Sequence, residues 1–327
     1  MPLSPLEITY SQLLDFRRCR LRWYWMYQKN LLPIVEREYY AFGRAIHHGL
    51  CQYYLHGHDI EVAQTAFSEE WNKYKEKLME VNYYIDSDDE WLNKSSAMGL
   101  HMLEDYHFLA KNADKFEVIM AEERLKFSIG IVQGREVFLA GTPDMVVKDN
   151  KFYWLKEFKS TTNMNDTDWV ELDEQASIYQ FLAQMKLLVP IHGTFYSWLN
   201  KSLPKEPKIL ENGKMSKDKS QPVSAVDIAK KIEEFGLDHH EYKDFMEVMR
   251  SKYVVRTRVH RSPTEITNVV KRSLQIAQDM VNPEIYCSPT WNCHWECEYY
   301  KMCVAYQDEA DLEPIEKAYF KVGEVTW

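Results

Sequence analysis

The chain changes character once, near residue 116, and that change limits its fold more than any other feature. Before it, apolar residues recur at helical spacing over 41–55, 62–78 and 91–109. Ser11 reads as the cap of an earlier helix carrying Leu13, Leu14 and Phe16. After it come three β-like runs, 116–129, 136–148 and 152–160, rich in β-branched and aromatic residues. Gly130, Gly134 and the Asp149-Asn150 pair supply the turns. Three consecutive runs predict an antiparallel meander. A helix over 168–188, stopped by Pro190, and a fourth strand over 193–199 follow.

The remainder divides by composition. Residues 201–221 are polar, lysine-rich and broken by Pro and Gly, which predicts a long flexible arm. Helices return from about Ala225, with one over 265–280, and 253–260 is a candidate strand. A cysteine cluster closes the ordered part. One α/β domain over 1–327 is the simplest reading: a helical part to 115, a sheet and motif helix over 116–200, the arm over 201–222, and a helical, cysteine-bearing part over 223–307. With 45% hydrophobic residues the chain can bury a sizeable core. No apolar run approaches a membrane span, and MPLSPLEITYSQLL lacks the basic start and apolar middle of a secretory signal. The expected location is therefore the cytoplasm.

The formal charge of −10 argues against a protein that coats nucleic acid. Local basic stripes can still grip a phosphate backbone. Arg17, Arg18 and Arg20 lie among aromatic residues, Lys217 and Lys219 in the arm, and Arg256 and Arg258 in the 253–260 run. Any one stripe alone reads equally well as a solvated face.

Four short patterns occur in order: Gly43-x3-His47 on an early helix, Gly141-Thr142-Pro143-Asp144 in the second strand, Glu157-x-Lys159 in the third, and Gln175-x3-Tyr179 on the helix after it. Neighbouring strands would bring Asp144 to Glu157. Residues two apart on a strand share a face, so Lys159 stands beside Glu157. Carboxylates that hold a divalent metal, with an ammonium beside them, suit phosphodiester hydrolysis. Gln175 and Tyr179 share one helical face and are placed to position substrate or the lysine. Each pattern alone is weak, since a strand-end Glu-x-Lys is usually a surface ion pair. The ordered set is specific.

That set is similar to the RecB-like branch of the PD-(D/E)xK nucleases. The resemblance spans residues 11 to about 303. It implies a restriction-endonuclease-like core: a mixed central sheet flanked by helices. It also implies an Mg²⁺ or Mn²⁺ site made by His47, Asp144, Glu157 and the carbonyl of Phe158, with Lys159 catalytic and Gln175 and Tyr179 accessory. The implied activity is a metal-dependent DNA exonuclease acting on single-stranded or duplex ends in phage or bacterial recombination, with a recombination protein as a further partner. A structure-specific endonuclease and a non-catalytic DNA-end-binding protein are the rivals. His48 lies off the motif spacing, and Glu122 and Glu123 read as a solvated edge.

Six cysteines remain: Cys19, Cys51, Cys287, Cys293, Cys297 and Cys303. Clustered cysteines in a cytosolic protein point to metal rather than disulfides. A local reading groups Cys287 with Cys293, Cys297 and Cys303 around zinc. The resemblance to iron–sulfur members of the branch, including phage-encoded ones, implies instead a [4Fe–4S] cluster on Cys19, Cys293, Cys297 and Cys303 that clasps the two ends of the chain. Cys51 and Cys287 then read as core thiols. The spacing Cys293-x3-Cys297 is one residue longer than the two-residue interval of many relatives.

Overall fold

The computed structural model describes residues 4–81, 88–164 and 168–323. Strand β1 (Leu6–Thr9) precedes helices α1 (Tyr10–Arg18) and α2 (Arg20–Trp23), a π-helical turn (Tyr24–Gln28) and strand β2 (Leu31–Pro33). The cap of α1 is Thr9, whose hydroxyl accepts the Gln12 N–H at 3.2 Å. Ser11, the expected cap, lies inside the helix, two residues past the observed one. Helices α3 (Glu38–Leu55), α4 (Ile60–Glu80) and α5 (Asp88–Ala113) fulfil the helical periodicity, whereas β1 and β2 are strands that the same stretch did not announce. Both are short and lean on partners distant in sequence.

The expected meander is corrected. The run 116–129 splits into β3 (Glu117–Ala121) and β4 (Leu125–Val132), and the run 136–148 into β5 (Arg135–Gly141) and β6 (Met145–Asp149). Each break follows local backbone chemistry. Glu122 adopts a left-handed conformation with φ 47°. Pro143 lacks an N–H for a ladder, so Thr142-Pro143-Asp144 stands outside the strands. The pieces are shared between two sheets. β4 and β5 form an antiparallel hairpin joined by β1 parallel to β5. β3 and β6 belong with β7 (Phe152–Thr161), β8 (Ile191–Asn200) and β9 (Val254–Val259) in a five-stranded sheet of order β3-β6-β7-β8-β9. Only β7 and β8 run parallel in it, linked through a 3₁₀ turn (Asp168–Leu172) and α6 (Glu174–Leu187). The helix expected over 168–188 is thus interrupted at Asp173, which caps α6 by accepting the Gln175 N–H at 2.9 Å.

The fold is a mixed sheet between helical layers, as expected. One face packs on α3, α4 and α5 through Val147, Trp154, Phe158 and Leu199. The other packs on α1, α6, the β1-β5-β4 sheet and α9 (Pro263–Val281) through Val146, Leu155, Tyr196 and Trp198. Alternation along β7 sends Glu157 and Lys159 towards α6, and Lys156 and Phe158 towards α3. Lys156 is fully buried; its ammonium donates to Ser197 Oγ at 3.0 Å and lies within an aromatic cage, 4.3 Å from the Phe195 ring centroid. Burial pulls its pKa below the usual lysine value.

The lysine-rich arm is irregular but pinned. Met215 is buried against α7 (Ala225–Phe235) and α8 (His239–Tyr253), and Ile209 bridges to Met215. The cysteine cluster does not end the ordered chain. After α10 (Cys293–Glu296) and α11 (Tyr300–Gln307) come α12 (Glu313–Tyr319) and β10 (Phe320–Val322), which pairs antiparallel with β2. Tyr299, Met302 and Phe320 pack on Leu21, Trp25 and Leu31, so the two ends of the described chain form one apolar cluster. Among the described residues, no helix is long and apolar enough to cross a membrane.

Candidate active site

The four patterns meet at one edge of the five-stranded sheet. Met145 pairs with Lys156, so Asp144, one step before β6, falls opposite Glu157. The Asp144 N–H donates to Glu157 Oε1 at 3.4 Å, and the Phe158 N–H donates to Asp144 Oδ2 at 2.8 Å. His47 reaches in from α3, its Nδ1 lying 3.0 Å from Asp144 Oδ1. Lys159 Nζ lies 4.0 Å from Glu157 Oε2 and donates to Gln175 Oε1 at 3.0 Å. The Gln175 amide in turn donates to the Tyr179 hydroxyl at 3.2 Å. Gln175 therefore fixes the lysine and Tyr179 fixes Gln175.

Two glycines of the patterns have different reasons to be there. A Cβ on Gly141 would stand 2.5 Å from the Tyr179 ring, so glycine is what lets α6 close on β5. A Cβ on Gly43 would meet no neighbouring heavy atom within 4 Å. Packing does not demand a glycine at that place, one turn before His47 and on the same face.

The electrostatics separate the two carboxyls. Glu157 is buried and Asp144 mostly so. For Asp144 the cost of burial is outweighed by His47, by the Phe158 N–H and by Lys159, and its pKa falls below the usual carboxylate value. For Glu157 burial and then repulsion from Asp144 prevail, and its pKa rises well above normal. Two acids crowding one edge, with the pKa of Glu157 driven upward by burial and by Asp144, are what a dication would relieve. The donor set of imidazole, carboxylate and carbonyl oxygens suits Mg²⁺ or Mn²⁺. Among the described residues, no group of three or more His, Cys, Asp or Glu side chains is arranged to hold a metal ion; His47 is hydrogen-bonded to Asp144.

Residues read from the sequence as a core thiol, an off-motif histidine and a solvated edge brace this edge. Cys51, one turn after His47 and fully buried, directs its thiol at the Asp144 carbonyl at 3.5 Å. The Glu122 N–H donates to the same carbonyl at 3.0 Å, and its carboxylate meets His48 Nδ1 at 3.1 Å. Glu123 pairs with Lys186 at the surface. The i+4 spacing from His47 to Cys51 was visible in the sequence. The strained turn at Glu122 carried no signal.

The basic residues are placed as follows. Arg17 bonds Glu174 at 2.6 Å, immediately before Gln175; Arg18 bonds Glu296 at 2.7 Å; Arg20 lies over the Phe16 and Tyr286 rings. Lys217 bonds Glu241, and the Lys219 carbonyl accepts from Lys252. Arg258 is half exposed beside Asp149. Arg256 differs: its guanidinium makes two 2.7 Å bonds to the buried Asp114. Its reading as a backbone-gripping residue gives way to a structural ion pair: Asp114, just past α5, covers Arg256, whereas Arg258, two residues on and on the same strand face, stays half exposed.

Four of the six cysteines gather where the chain ends meet. Cys19, Cys287, Cys297 and Cys303 pack against the terminal apolar cluster. The Ser288 N–H donates to Cys19 Sγ at 3.5 Å, whereas Cys293 Sγ lies 3.3 Å from both the amide and the hydroxyl of Thr290.

A family model described as the PD-(D/E)XK nuclease superfamily matches residues 7–304. No curated protein matches the chain. A solved structure titled "Crystal structure of SSO0001" is similar over 72% of this chain and 80% of that one, at 12% identity and a TM-score of 0.33.

Proposed function

The chain belongs to the PD-(D/E)XK nuclease superfamily, and from that premise we propose that it is a divalent-metal-dependent DNA exonuclease. Hydrolysis of phosphodiesters is the general reaction of the family; action from a strand end is the specific reading proposed. The observation that carries it is the buried Asp144–Glu157 pair with Lys159 held against it by Gln175.

His47, Asp144, Glu157 and the Phe158 carbonyl would hold the metal. When bound, it supplies electrophilic stabilisation of the scissile phosphate and a more acidic water. The protein supplies position and charge. Ionised Asp144 is steadied by the Phe158 N–H and His47. Lys159, tethered to Gln175, holds its ammonium where the attacking water and the developing negative charge must lie. Gly43 leaves room beside His47 for a substrate backbone. Arg17, Arg18, Arg20 and Arg258, with Lys217 and Lys219 of the arm, are the proposed phosphate contacts.

A second, structural metal centre is proposed for the cysteines: a [4Fe–4S] cluster on Cys19, Cys293, Cys297 and Cys303. Cys287, packed with three of these, is the competing fourth donor. Closing nearly the whole chain with one such link would remove on the order of 5 kcal/mol of unfolded-state entropy. A recombination role inside a bacterial or phage-infected cell follows from the RecB-like resemblance and is proposed with it.

The test is cleavage of end-labelled linear DNA and of closed circular DNA with Mg²⁺ or Mn²⁺. The exonuclease reading predicts degradation of the linear form alone. Nicking or linearisation of the circle favours the endonuclease, and binding to ends without cleavage favours the accessory protein.

A further inference from the structure

The segment between β9's following helix and the chain end carries a row of rings that the fold leaves uncovered. Trp291 is 80% exposed and Trp295 43%. Their ring centroids are 4.6 Å apart, His294 stands 4.3 Å from Trp295, and Tyr300 continues the row 6.4 Å from His294. Neighbouring Tyr299 and Met302 are fully buried in the terminal cluster, so the segment is firmly seated and still turns its tryptophans outward. The row is also braced. Trp295 and Glu296 donate backbone N–H groups to the Asn292 carbonyl, His294 Nδ1 lies 3.0 Å from the Trp291 carbonyl, and Arg37 donates to the Trp295 carbonyl at 2.6 Å.

Its position relative to the catalytic edge is set by two consecutive residues. Arg18 bonds Glu296, next to Trp295, while Arg17 bonds Glu174, next to Gln175. One turn of α1 thus ties the ring row to the helix that holds Lys159, with arginines between them.

We infer that Trp291 and Trp295 form a stacking platform for unpaired bases of the strand that enters or leaves the catalytic edge. The inference rests on the nuclease reading above. Flat, exposed rings recognise the faces of bases, and those faces are open only where the strand is unpaired. Stacking of this kind tolerates any sequence, as an enzyme that digests DNA requires. Arg17 and Arg18, between row and edge, are paired with Glu174 and Glu296, so a strand that follows them would exchange those carboxylates for its own phosphates.

The experiment uses the full chain and a fluorophore-labelled oligothymidylate, with Lys159→Ala as background to prevent cleavage. Trp291→Ala/Trp295→Ala should weaken binding about tenfold or more, Trp291→Phe/Trp295→Phe should recover most of it, and affinity for blunt duplex should change far less. Circular dichroism checks that each variant is folded. In the otherwise native enzyme, hydrolysis of the small diester thymidine 5′-p-nitrophenyl phosphate should be unchanged by the tryptophan substitutions. Equal oligonucleotide affinity in the folded double-alanine variant overturns the platform. So does a change of oligomeric state on substitution with DNA affinity unaltered, which would make the row a protein contact. Failure of the parent to cleave end-labelled linear or closed circular DNA with either metal would instead overturn the nuclease reading.

Discussion

Gly43 offers a prediction in which stability and activity move in opposite directions. It lies inside an 18-residue helix, and no neighbouring heavy atom stands within 4 Å of where its Cβ would be. Glycine in a helix interior costs about 0.5–1 kcal/mol relative to alanine. Gly43→Ala should therefore stabilise the protein by about that amount, raising Tm by about 1 °C. If the empty space is where the substrate backbone passes His47, a longer side chain must obstruct it. Gly43→Gln should fold as well as the alanine variant yet cleave more than about tenfold more slowly, the equivalent of about 1.4 kcal/mol at the transition state. The assays are thermal unfolding by circular dichroism and initial cleavage rates on end-labelled DNA at saturating metal. A Gly43→Gln enzyme that is folded and as active as the parent would refute the reasoning, because the glycine would then serve no substrate. A lower Tm for Gly43→Ala would refute its structural half.

Other outcomes follow from the same geometry. Asp114→Ala should lower stability by about 3–5 kcal/mol in urea unfolding, because it strands the buried Arg256 charge; an unchanged midpoint would return Arg256 to the surface. His101, clamped between Asp105 and Asp227 at 3.1 Å, keeps a pKa of about 10 because those carboxylates overcome its burial. Its folded value lies above the unfolded one, so its contribution is complete below about pH 6.5 and fades as pH rises towards 10; unfolding at several pH values should show that decline in the parent and a flatter profile in His101→Gln. If His47 is a ligand, Mn²⁺ should support cleavage at least as well as Mg²⁺, and His47→Asp should shift preference towards Mg²⁺; a folded mutant with unchanged rate and preference removes His47 from the site. Anaerobically purified protein should hold about four irons by metal analysis, as the resemblance implies, and lose them in Cys19→Ala; loss in Cys287→Ala with retention in Cys293→Ala would exchange the fourth ligand, and stoichiometric zinc would replace the cluster.

What was legible in the sequence had short range. The period of α3 to α5, the β7 run and the Gln175–Tyr179 face are all local, and each stands close to where it was expected. Lys159 beside Glu157 and Gln175 beside Tyr179 were legible because strand and helix periods fix which side chains share a face; that His47 joins Asp144 was expected only from the family resemblance. The partition of four strands between two sheets was not, because it turns on a left-handed Glu122 and on the break at Pro143, while hydrophobic content continues through both. β1, β2 and β10 are three or four residues long and owe their state to distant partners. Arg256 misled because a basic stripe read along the chain does not reveal the distant Asp114, which pairs with Arg256 and leaves Arg258, on the same strand face, half exposed.

The most direct test of the account is single-turnover cleavage of end-labelled DNA by the parent and by Lys159→Ala, with DNA affinity measured alongside. The account predicts that the parent cuts only when Mg²⁺ or Mn²⁺ is present. It predicts that Lys159→Ala binds DNA within about threefold of the parent, while its rate falls by about two to three orders of magnitude, because the ammonium acts on charge that develops in the transition state. Cleavage by the parent in excess chelator, or a Lys159→Ala enzyme as fast as the parent, would contradict it.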